Sequence, residues 1–268
     1  MLYDYHLHSD FSCDCKYPMA EMCRGAINNG LSEIGFTDHY DLHPGESCPD
    51  WFRPEEWFAE LERCRAEFAG QLTLRAGIEI GEPHIYRAQA QAMIGRLPFD
   101  FVLGSLHWVS SETIFDPSYF RRPQAEAYRL FFEELERMTR ISDRVGGFDI
   151  LSHFDVPVRT GFEVYGEYDP RRFEDAIRPI LKNCIEHGIA LDINTKGLRS
   201  KCNVLTPGVD ILRWYADMGG ERVTLGSDAH QPMYVGENFK EAIEAIRAAG
   251  LKYLTWFEGR QAKLLPLP

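Results

Sequence analysis

The sequence of 268 residues lacks several features that mark common classes of protein. No apolar run approaches the roughly 18 residues that a membrane-spanning helix needs, and the N-terminal residues lack the basic and apolar regions of a signal peptide. Lysine and arginine number 29 against 41 acidic residues, which gives a net charge of -12. A protein surface with this net negative charge repels the phosphates of nucleic acids and anionic lipids. We therefore predict a soluble, cytoplasmic protein that binds neither duplex nucleic acid nor membranes.

Cysteines are few and follow no metal or redox motif. There are seven, an odd number, without CxxC spacing, and the sequence therefore predicts no disulfide framework in a chain of this length. Cys13 and Cys15 are interpreted as reduced thiols beside a functional site. There is also no glycine-rich phosphate loop, internal repeat, low-complexity tract or linker. We expect residues 1–268 to form a single domain.

Strand-like apolar runs alternate with amphipathic helical patterns along the chain. The strand-like runs lie at residues 2–6, 33–37, 72–78, 101–106, 148–152, 189–193 and 222–225, with an eighth candidate at 253–257. The helical patterns lie at residues 18–29, 54–68, 83–95, 124–145, 170–187, 207–218 and 236–249. This alternation predicts an α/β fold with a mainly parallel sheet.

A distorted TIM-like barrel of about seven β/α units fits this order of elements best. An open, doubly wound sheet is the alternative, but it concentrates its site at one switch point. In a barrel, the loops that follow the strands converge on the axis at the C-terminal ends of the strands. Six of the nine histidines and three carboxylates come just after predicted strands. These candidate metal ligands are His6, His8, Asp14, His39, Glu79, His107, His153, Asp228 and His230.

The spacing of these residues is typical of a metal site. His6 and His8 are two residues apart, so an extended backbone points both imidazoles to the same side. Asp228 and His230 repeat this spacing, and the two oxygens of Glu79 can bridge two ions. Imidazole and carboxylate ligands suit zinc, iron or manganese. Glu79, Asp228 and His230 are the predicted catalytic residues.

Formal charge favours three divalent ions over two. Three ions, three carboxylates and one bridging hydroxide leave a charge of about +2, which balances a phosphate monoester dianion, whereas two ions leave a neutral pocket. A metal-bridging hydroxide is then the expected nucleophile. Arg159 and Arg199 follow two strand ends closely and are the predicted phosphate-binding residues, because guanidinium groups match phosphate oxygens.

Six segments together resemble the PHP (polymerase and histidinol phosphatase) family, specifically its histidinol-phosphate phosphatase branch. They begin at Asp4, Gly35, Gly77, Gly104, Asp192 and Gly226, and read DYHLHS, GFTDH, GIEIGEP, GSLH, DINTKGLR and GSDAH. The resemblance runs through nearly the whole chain. It implies a distorted barrel of seven β/α units with a trinuclear metal centre.

The resemblance also implies how the ligands are divided among three ions. The first ion would be held by His6, His8, Glu79 and Asp228. The second would be held by Glu79, His107 and His153, and the third by Asp14, His39 and His230. Asp14 differs from the histidine that some members of the family have at this position. The segment from His153 to Arg159 matches the branch loosely.

The resemblance predicts a phosphomonoesterase that hydrolyses L-histidinol phosphate in histidine biosynthesis. A phosphodiesterase or exonuclease, and a non-catalytic metal-binding protein, are the alternatives. The acidic composition argues against the former, and the complete set of ligands argues against the latter. The cationic substrate needs an acceptor near the mouth of the site, and Asp41, Glu82 and Asp116 are all candidates.

Overall fold

The computed structural model describes residues 2–141 and 147–268. The strands are β1 (Tyr3–Leu7), β2 (Glu33–Phe36), β3 (His39–Tyr40), β4 (Thr73–Ala76), β5 (Glu79–Gly81), β6 (Leu103–Ser105), β7 (Trp108–Val109), β8 (Glu112–Thr113), β9 (Ile150–Leu151), β10 (Ala190–Asn194), β11 (Val223–Gly226), β12 (Tyr253–Glu258) and β13 (Gln261–Pro266). The α-helices are α1 (Met19–Asn28), α2 (Pro54–Glu67), α3 (Arg87–Ile94), α4 (Gln124–Ile141), α5 (Val158–Tyr165), α6 (Glu174–His187), α7 (Val209–Asp217) and α8 (Phe239–Ala248). Short 3-10 helices lie at Pro117–Arg121, Pro170–Phe173, Lys196–Arg199 and Pro232–Tyr234.

Seven parallel strand units follow one another around a barrel. One sheet has the order β1-β2-β4, and the other has the order β11-β10-β9-β6-β5-β3. β2 and β3 are two parts of one interrupted strand, as are β4 and β5, and these pairs join the two sheets. Leu7 bridges to Ala229, and the His8 amide donates to the Ala229 carbonyl at 3.0 Å, which brings β1 beside the end of β11. The predicted barrel of about seven units is confirmed.

The alternation of side chains in β1 explains why the barrel has a polar interior at one end. All five residues of this strand are buried, as expected for a parallel strand covered on both faces. Tyr3, Tyr5 and Leu7 point to one side and belong to the hydrophobic core. Asp4 and His6 point to the other side, so the same strand packs against helices and contributes polar groups to the barrel axis.

The helices cover the outside of the barrel through their apolar faces. In α8, for example, Phe239, Ala242, Ile243 and Ile246 are buried at helical spacing. α6 ends at His187, and the next residue, Gly188, has a φ of 70°, which glycine adopts most readily. Each of the seven predicted strands and seven predicted helices has a counterpart in the structure. The part of the fourth predicted helix that extends to residue 145 lies outside the described residues.

Several parts of the fold differ from the prediction, including the β7-β8 hairpin, which was not predicted. The eighth candidate strand is present as β12, but it pairs antiparallel with β13 in a hairpin and adds no eighth unit to the barrel. The helix predicted to begin at residue 83 begins at Arg87, after a turn. Helix α5 was not predicted, because its eight residues are too few for a clear helical period.

Cys13 and Cys48 are joined by a disulfide, with their Cα atoms 6.4 Å apart. The prediction that Cys13 is a reduced thiol was therefore wrong. Cys13 and Cys48 are 35 residues apart in the chain, and sequence alone gives no spacing rule that would pair them. Cys15 is free, as predicted, and it is buried. Among residues 2–141 and 147–268, no helix is long and apolar enough to cross a membrane.

Candidate metal centre

The nine predicted metal ligands come together at the C-terminal ends of the barrel strands. A cavity of about 470 Å³ opens there, and its wall includes Asp14, His39, Glu79, His107, His153 and Asp228. His6 and His8 lie deeper and are almost fully buried, and His230 lies beside Asp14. The structure thus brings together residues that are spread over more than 200 positions of the sequence.

Glu79 lies at the middle of this cluster and is fully buried. Its Oε2 atom is within 3.2 to 3.4 Å of ring nitrogens from His6, His8 and His39. Its Oε1 atom is 3.4 Å from His107 Nε2 and 3.1 Å from His153 Nε2. The two oxygens therefore face two different groups of histidines, which is the arrangement that a bridging carboxylate requires.

The remaining carboxylates lie at the edges of the cluster. Asp228 Oδ1 is 3.6 Å from His8 Nε2 and 3.6 Å from His230 Nδ1. Asp14 Oδ2 is 2.8 Å from His230 Nε2 and 3.8 Å from His39 Nε2. The parallel pairing of β3 with β5 places His39 directly opposite Glu79. Asp14, His39 and His230 thus form a group on the more exposed side.

Hydrogen bonds to Nδ1 orient several of the histidine rings. His6 Nδ1 is 2.8 Å from Asp192 Oδ2, His8 Nδ1 is 3.1 Å from Ser12 Oγ, and His107 Nδ1 is 3.2 Å from Asp41 Oδ1. When Nδ1 carries the proton, the Nε2 lone pair of each ring faces the centre of the cluster. A partner on the second nitrogen is typical of histidines that bind metals.

The donor atoms fit divalent metal ions. Four groups of three donor atoms, each group lying within 4.8 Å, can each hold an ion: His6, His8 and Glu79; His6, His153 and Asp228; His39, Glu79 and His107; and His8, His39 and His230. His8 Nε2 and His39 Nδ1 are buried and have no hydrogen-bond partner among the described residues. A buried polar atom without a partner is costly, and a metal ion would satisfy both nitrogens.

Three cationic side chains line the wall of the same cavity. Arg96 pairs with Glu55, whereas Arg159 and Lys196 both contact Asp228. Arg159 donates from Nη1 to Asp228 Oδ2 at 2.9 Å and from Nη2 to Asn194 Oδ1 at 2.7 Å. Lys196 Nζ donates to Asp228 Oδ1 at 2.8 Å. Burial raises the pKa of Asp228, but the charges of Lys196 and Arg159 outweigh this effect and hold the pKa well below its usual range. Both cations are therefore positioned to meet an anion in the cavity.

Arg199 lies next to the centre but has other partners. Its Nη2 atom donates to the Ser227 carbonyl at 2.6 Å, and its guanidinium stacks on the ring of Tyr234. It is not among the described residues that line the cavity. Its contact with Ser227 supports the backbone directly before Asp228, and its predicted contact with phosphate stays a prediction.

The three candidate substrate acceptors have different surroundings. Asp41 lines the cavity, but its carboxylate also lies 3.2 Å from His107 Nδ1 and 3.4 Å from His39 Nδ1. Glu82 is buried, accepts the backbone N–H groups of His107 and Trp108, and has its pKa raised to about 7 by burial. Asp116 is far more exposed and caps a 3-10 helix. Of the three, only Asp41 lines the cavity.

The backbone at the site is constrained at two points. Gly226 lies so close to Asp192 and His6 that a Cβ atom there would be 2.1 Å from Asp192 Oδ1 and 2.6 Å from His6 Cβ. Only glycine fits this position. Asp228 has a φ of 51°, a conformation that costs energy for a residue other than glycine. This turn directs the Asp228 carboxylate towards His8 and Arg159.

Sequence reasoning missed Lys196 and Asp192 as site residues. Both lie in the segment around β10, the strand that also carries Asn194. Alternation along β10 places Asp192 and Asn194 on one face, pointing to the barrel axis. This alternation was the signal that could have identified Asp192. Lys196 follows the strand end by two residues, as the other site residues follow theirs.

Replacing Asp192 with Asn should weaken metal binding and activity by roughly 10- to 100-fold. The amide removes the negative charge that holds the proton on His6 Nδ1, and it leaves the His6 ring less firmly oriented. Metal affinity by chelator competition and kcat would measure the effect. Asp149→Asn is the matched control, because Asp149 is a half-buried carboxylate that instead pairs with Arg260. Unchanged metal affinity in Asp192→Asn would contradict this role.

Comparison with known proteins agrees with the fold and with the chemistry of the site. The PHP domain family model matches residues 4–196. A probable histidinol-phosphatase of Clostridium acetobutylicum is 29% identical over 98% of this chain and 99% of the relative. A histidinol-phosphatase of Lactococcus lactis is 29% identical over 96% of this chain and 94% of the relative.

A solved structure extends this similarity to three dimensions. The crystal structure of histidinol phosphate phosphatase from Lactococcus lactis, complexed with zinc, L-histidinol and phosphate, superimposes with a TM-score of 0.87. It is 26% identical, and the match covers 98% of each chain. The similarity therefore extends over nearly the whole length of both chains.

Proposed function

The chain belongs to the PHP domain family, and from this premise we propose that it hydrolyses L-histidinol phosphate to L-histidinol and phosphate, a step of histidine biosynthesis. The observation that carries the proposal is the full-length match to a relative whose structure contains zinc, L-histidinol and phosphate. The assay that tests it is phosphate release from L-histidinol phosphate by the metal-loaded protein. Failure to release phosphate would reject the proposal.

The proposed centre holds three divalent ions. His6, His8, Glu79 and Asp228 would hold the first, and Glu79, His107 and His153 the second. Asp14, His39 and His230 would hold the third. This division is supported by the two oxygens of Glu79, which face different histidines. Zinc in the relative's structure supports zinc as one of the ions, and imidazole and carboxylate donors also accept iron or manganese.

Divalent ions at this site would lower the pKa of water and neutralise charge on phosphate oxygens. The chain itself supplies orientation and further positive charge. Arg159 and Lys196 lie at the cavity wall, where both can donate hydrogen bonds to a phosphate group. Their present partner, Asp228, would itself be a metal ligand, so phosphate and metal share one network of charges. Burial of this network strengthens each of its interactions.

The outer part of the cavity supports a cationic substrate. Its wall includes the carboxylates of Asp41, Glu46 and Asp50. Trp108 and His43 stack with ring centroids 4.0 Å apart nearby, and Trp108 Nε1 donates to Glu46. A phosphate group therefore meets positive charge inside, and the amine of L-histidinol meets negative charge at the mouth. A polyanionic nucleic acid would be repelled by the same carboxylates.

Replacing Arg159 with Ala should raise KM for the phosphate ester and weaken inhibition by inorganic phosphate by roughly 10- to 100-fold, because a charge-assisted donor is lost. Metal content should remain normal, since Arg159 is not a proposed ligand. Steady-state kinetics and metal analysis on the same preparation would measure both. Arg129→Ala, at a surface ion pair with Asp175, is the control for loss of an arginine. Unchanged KM and phosphate inhibition would contradict the role.

Arg199→Ala should have a smaller effect on phosphate binding than Arg159→Ala. Its guanidinium holds the Ser227 carbonyl, so its removal would loosen the turn that carries Asp228. We expect a rise in KM of a few-fold with metal retained. A larger loss than in Arg159→Ala would instead indicate direct contact between Arg199 and phosphate.

A further inference from the structure

A second cavity of about 480 Å³ lies against helix α5, which also carries Arg159. Val158 and Phe162, one turn apart on this helix, line the second cavity, whereas Arg159 lines the first. The opposite wall includes Leu205 and Val209. The cavity has the volume and the apolar wall that are usual for small-molecule sites.

One oxygen of a buried carboxyl group in this cavity has no hydrogen-bond partner among the described residues. Asp155 is 3% exposed, and its Oδ1 atom has no hydrogen-bond partner among residues 2–141 and 147–268. The hydroxyl of Tyr168, another residue of the cavity wall, is also buried without a partner in that part of the chain. The Tyr168 ring stacks on Tyr128 with centroids 4.7 Å apart, which fixes its position. Unpaired buried polar groups are costly and call for a ligand that completes them.

The charge of this cavity is opposite to that of the phosphate end of the first cavity. Glu167 and Asp210 add further carboxylates to the wall, and no lysine, arginine or histidine is among the described residues that line it. Arg159 is a nearby cation that Asp155 interacts with electrostatically, but its Nη atoms bind Asp228 and Asn194. Its Nε atom has no hydrogen-bond partner among the described residues and does not donate to Asp155. An anion would therefore be disfavoured here, and a cation with an apolar body would be favoured.

We propose that this second cavity is a binding site for a small organic amine with an apolar or aromatic body. The ammonium group would pair with Asp155 and donate to the Tyr168 hydroxyl. The body of the ligand would pack against Val158, Phe162 and Val209. The proposal concerns binding alone and does not depend on the reaction at the metal centre.

The test uses 2-phenylethylamine as the probe and the zinc-loaded, full-length protein. Isothermal titration calorimetry, with inorganic phosphate present, should show saturable binding with one site per chain. 2-Phenylethanol, which has the same body without the charge, should bind at least roughly tenfold more weakly, because it loses a charged hydrogen bond. Asp155→Asn should weaken amine binding to a similar extent. No saturable binding by the wild-type protein would overturn the proposal.

A pair of further variants tests the proposal if the Asp155→Asn protein is unstable. Val204 lines the cavity and is 37% exposed, so Val204→Trp should fill the cavity and abolish amine binding. Val164, which is 47% exposed on the same helix as Phe162 and does not line the cavity, provides Val164→Trp as the matched control. Binding that survives in Val204→Trp would assign the amine to another place and overturn the proposal.

Discussion

Replacing Glu79 with Gln should abolish turnover and remove metal from the protein. The two oxygens of Glu79 face different histidine groups, and an amide nitrogen at one of them cannot bind a metal ion. Loss of a bridging carboxylate would thus weaken two ion sites at once. We expect kcat to fall by roughly 1000-fold or more, in the range seen when a major electrostatic group is removed from an active site.

Metal analysis and single-substrate kinetics on the same sample would measure this effect. Glu82→Gln is the matched control, because Glu82 is equally buried and lies three residues away, yet it accepts backbone N–H groups. A glutamine oxygen can still accept those hydrogen bonds, so the control should keep its metal. Normal rate and normal metal content in Glu79→Gln would reject the bridged centre.

Removing the metal ions should both stop the reaction and destabilise the fold. Without ions, donor nitrogens such as His8 Nε2 stay buried and have no hydrogen-bond partner among the described residues. An ion at a hundredfold its dissociation constant adds about 2.7 kcal/mol to the free energy of unfolding. For a chain of this size, that corresponds to roughly 5 to 10 °C in Tm. We expect a chelator to lower Tm by at least this amount and to abolish phosphate release.

Adding back zinc or manganese should restore both Tm and activity. Calorimetry before and after dialysis against the chelator, followed by titration with each ion, would measure the two effects together. An apoprotein with unchanged Tm and full activity would contradict a metal centre built from these residues. Restored stability without restored activity would show that the ion added is not the one that supports the reaction.

The clustering of the candidate metal ligands could be predicted from sequence because a barrel brings the residues that follow its strands to one end of the molecule. Any polar residue just after a barrel strand lies at the same end of the molecule, however distant it is along the chain. His39 and Glu79, for instance, are 40 residues apart yet directly opposite each other in β3 and β5. The order of strands and the end of the barrel were therefore enough to group the ligands.

Features that depend on side-chain contacts were not predictable in the same way. Alternation along β10 and the position of its end point to Asp192 and Lys196, but only the folded structure shows that they contact His6 and Asp228. The pairing of Cys13 with Cys48 depends on how the two loops fold back towards each other. Helix α5 is short, and the cavity behind it exists only because α5 and the segment around Leu205 are held apart. The contacts in each case arise from tertiary structure, which local sequence patterns do not specify.

We propose that this chain is a metal-dependent phosphomonoesterase for L-histidinol phosphate. The most direct measurement is phosphate release by the metal-analysed protein from L-histidinol phosphate, beside a panel of other phosphate monoesters and a dinucleotide diester. We predict a kcat/KM for L-histidinol phosphate at least roughly 100-fold above that for monoesters without an amine, because these lack the proposed pairing of the amine with the acidic mouth. The diester should not be hydrolysed. Equal or higher activity on another ester, or on the diester, would contradict the assignment of the substrate.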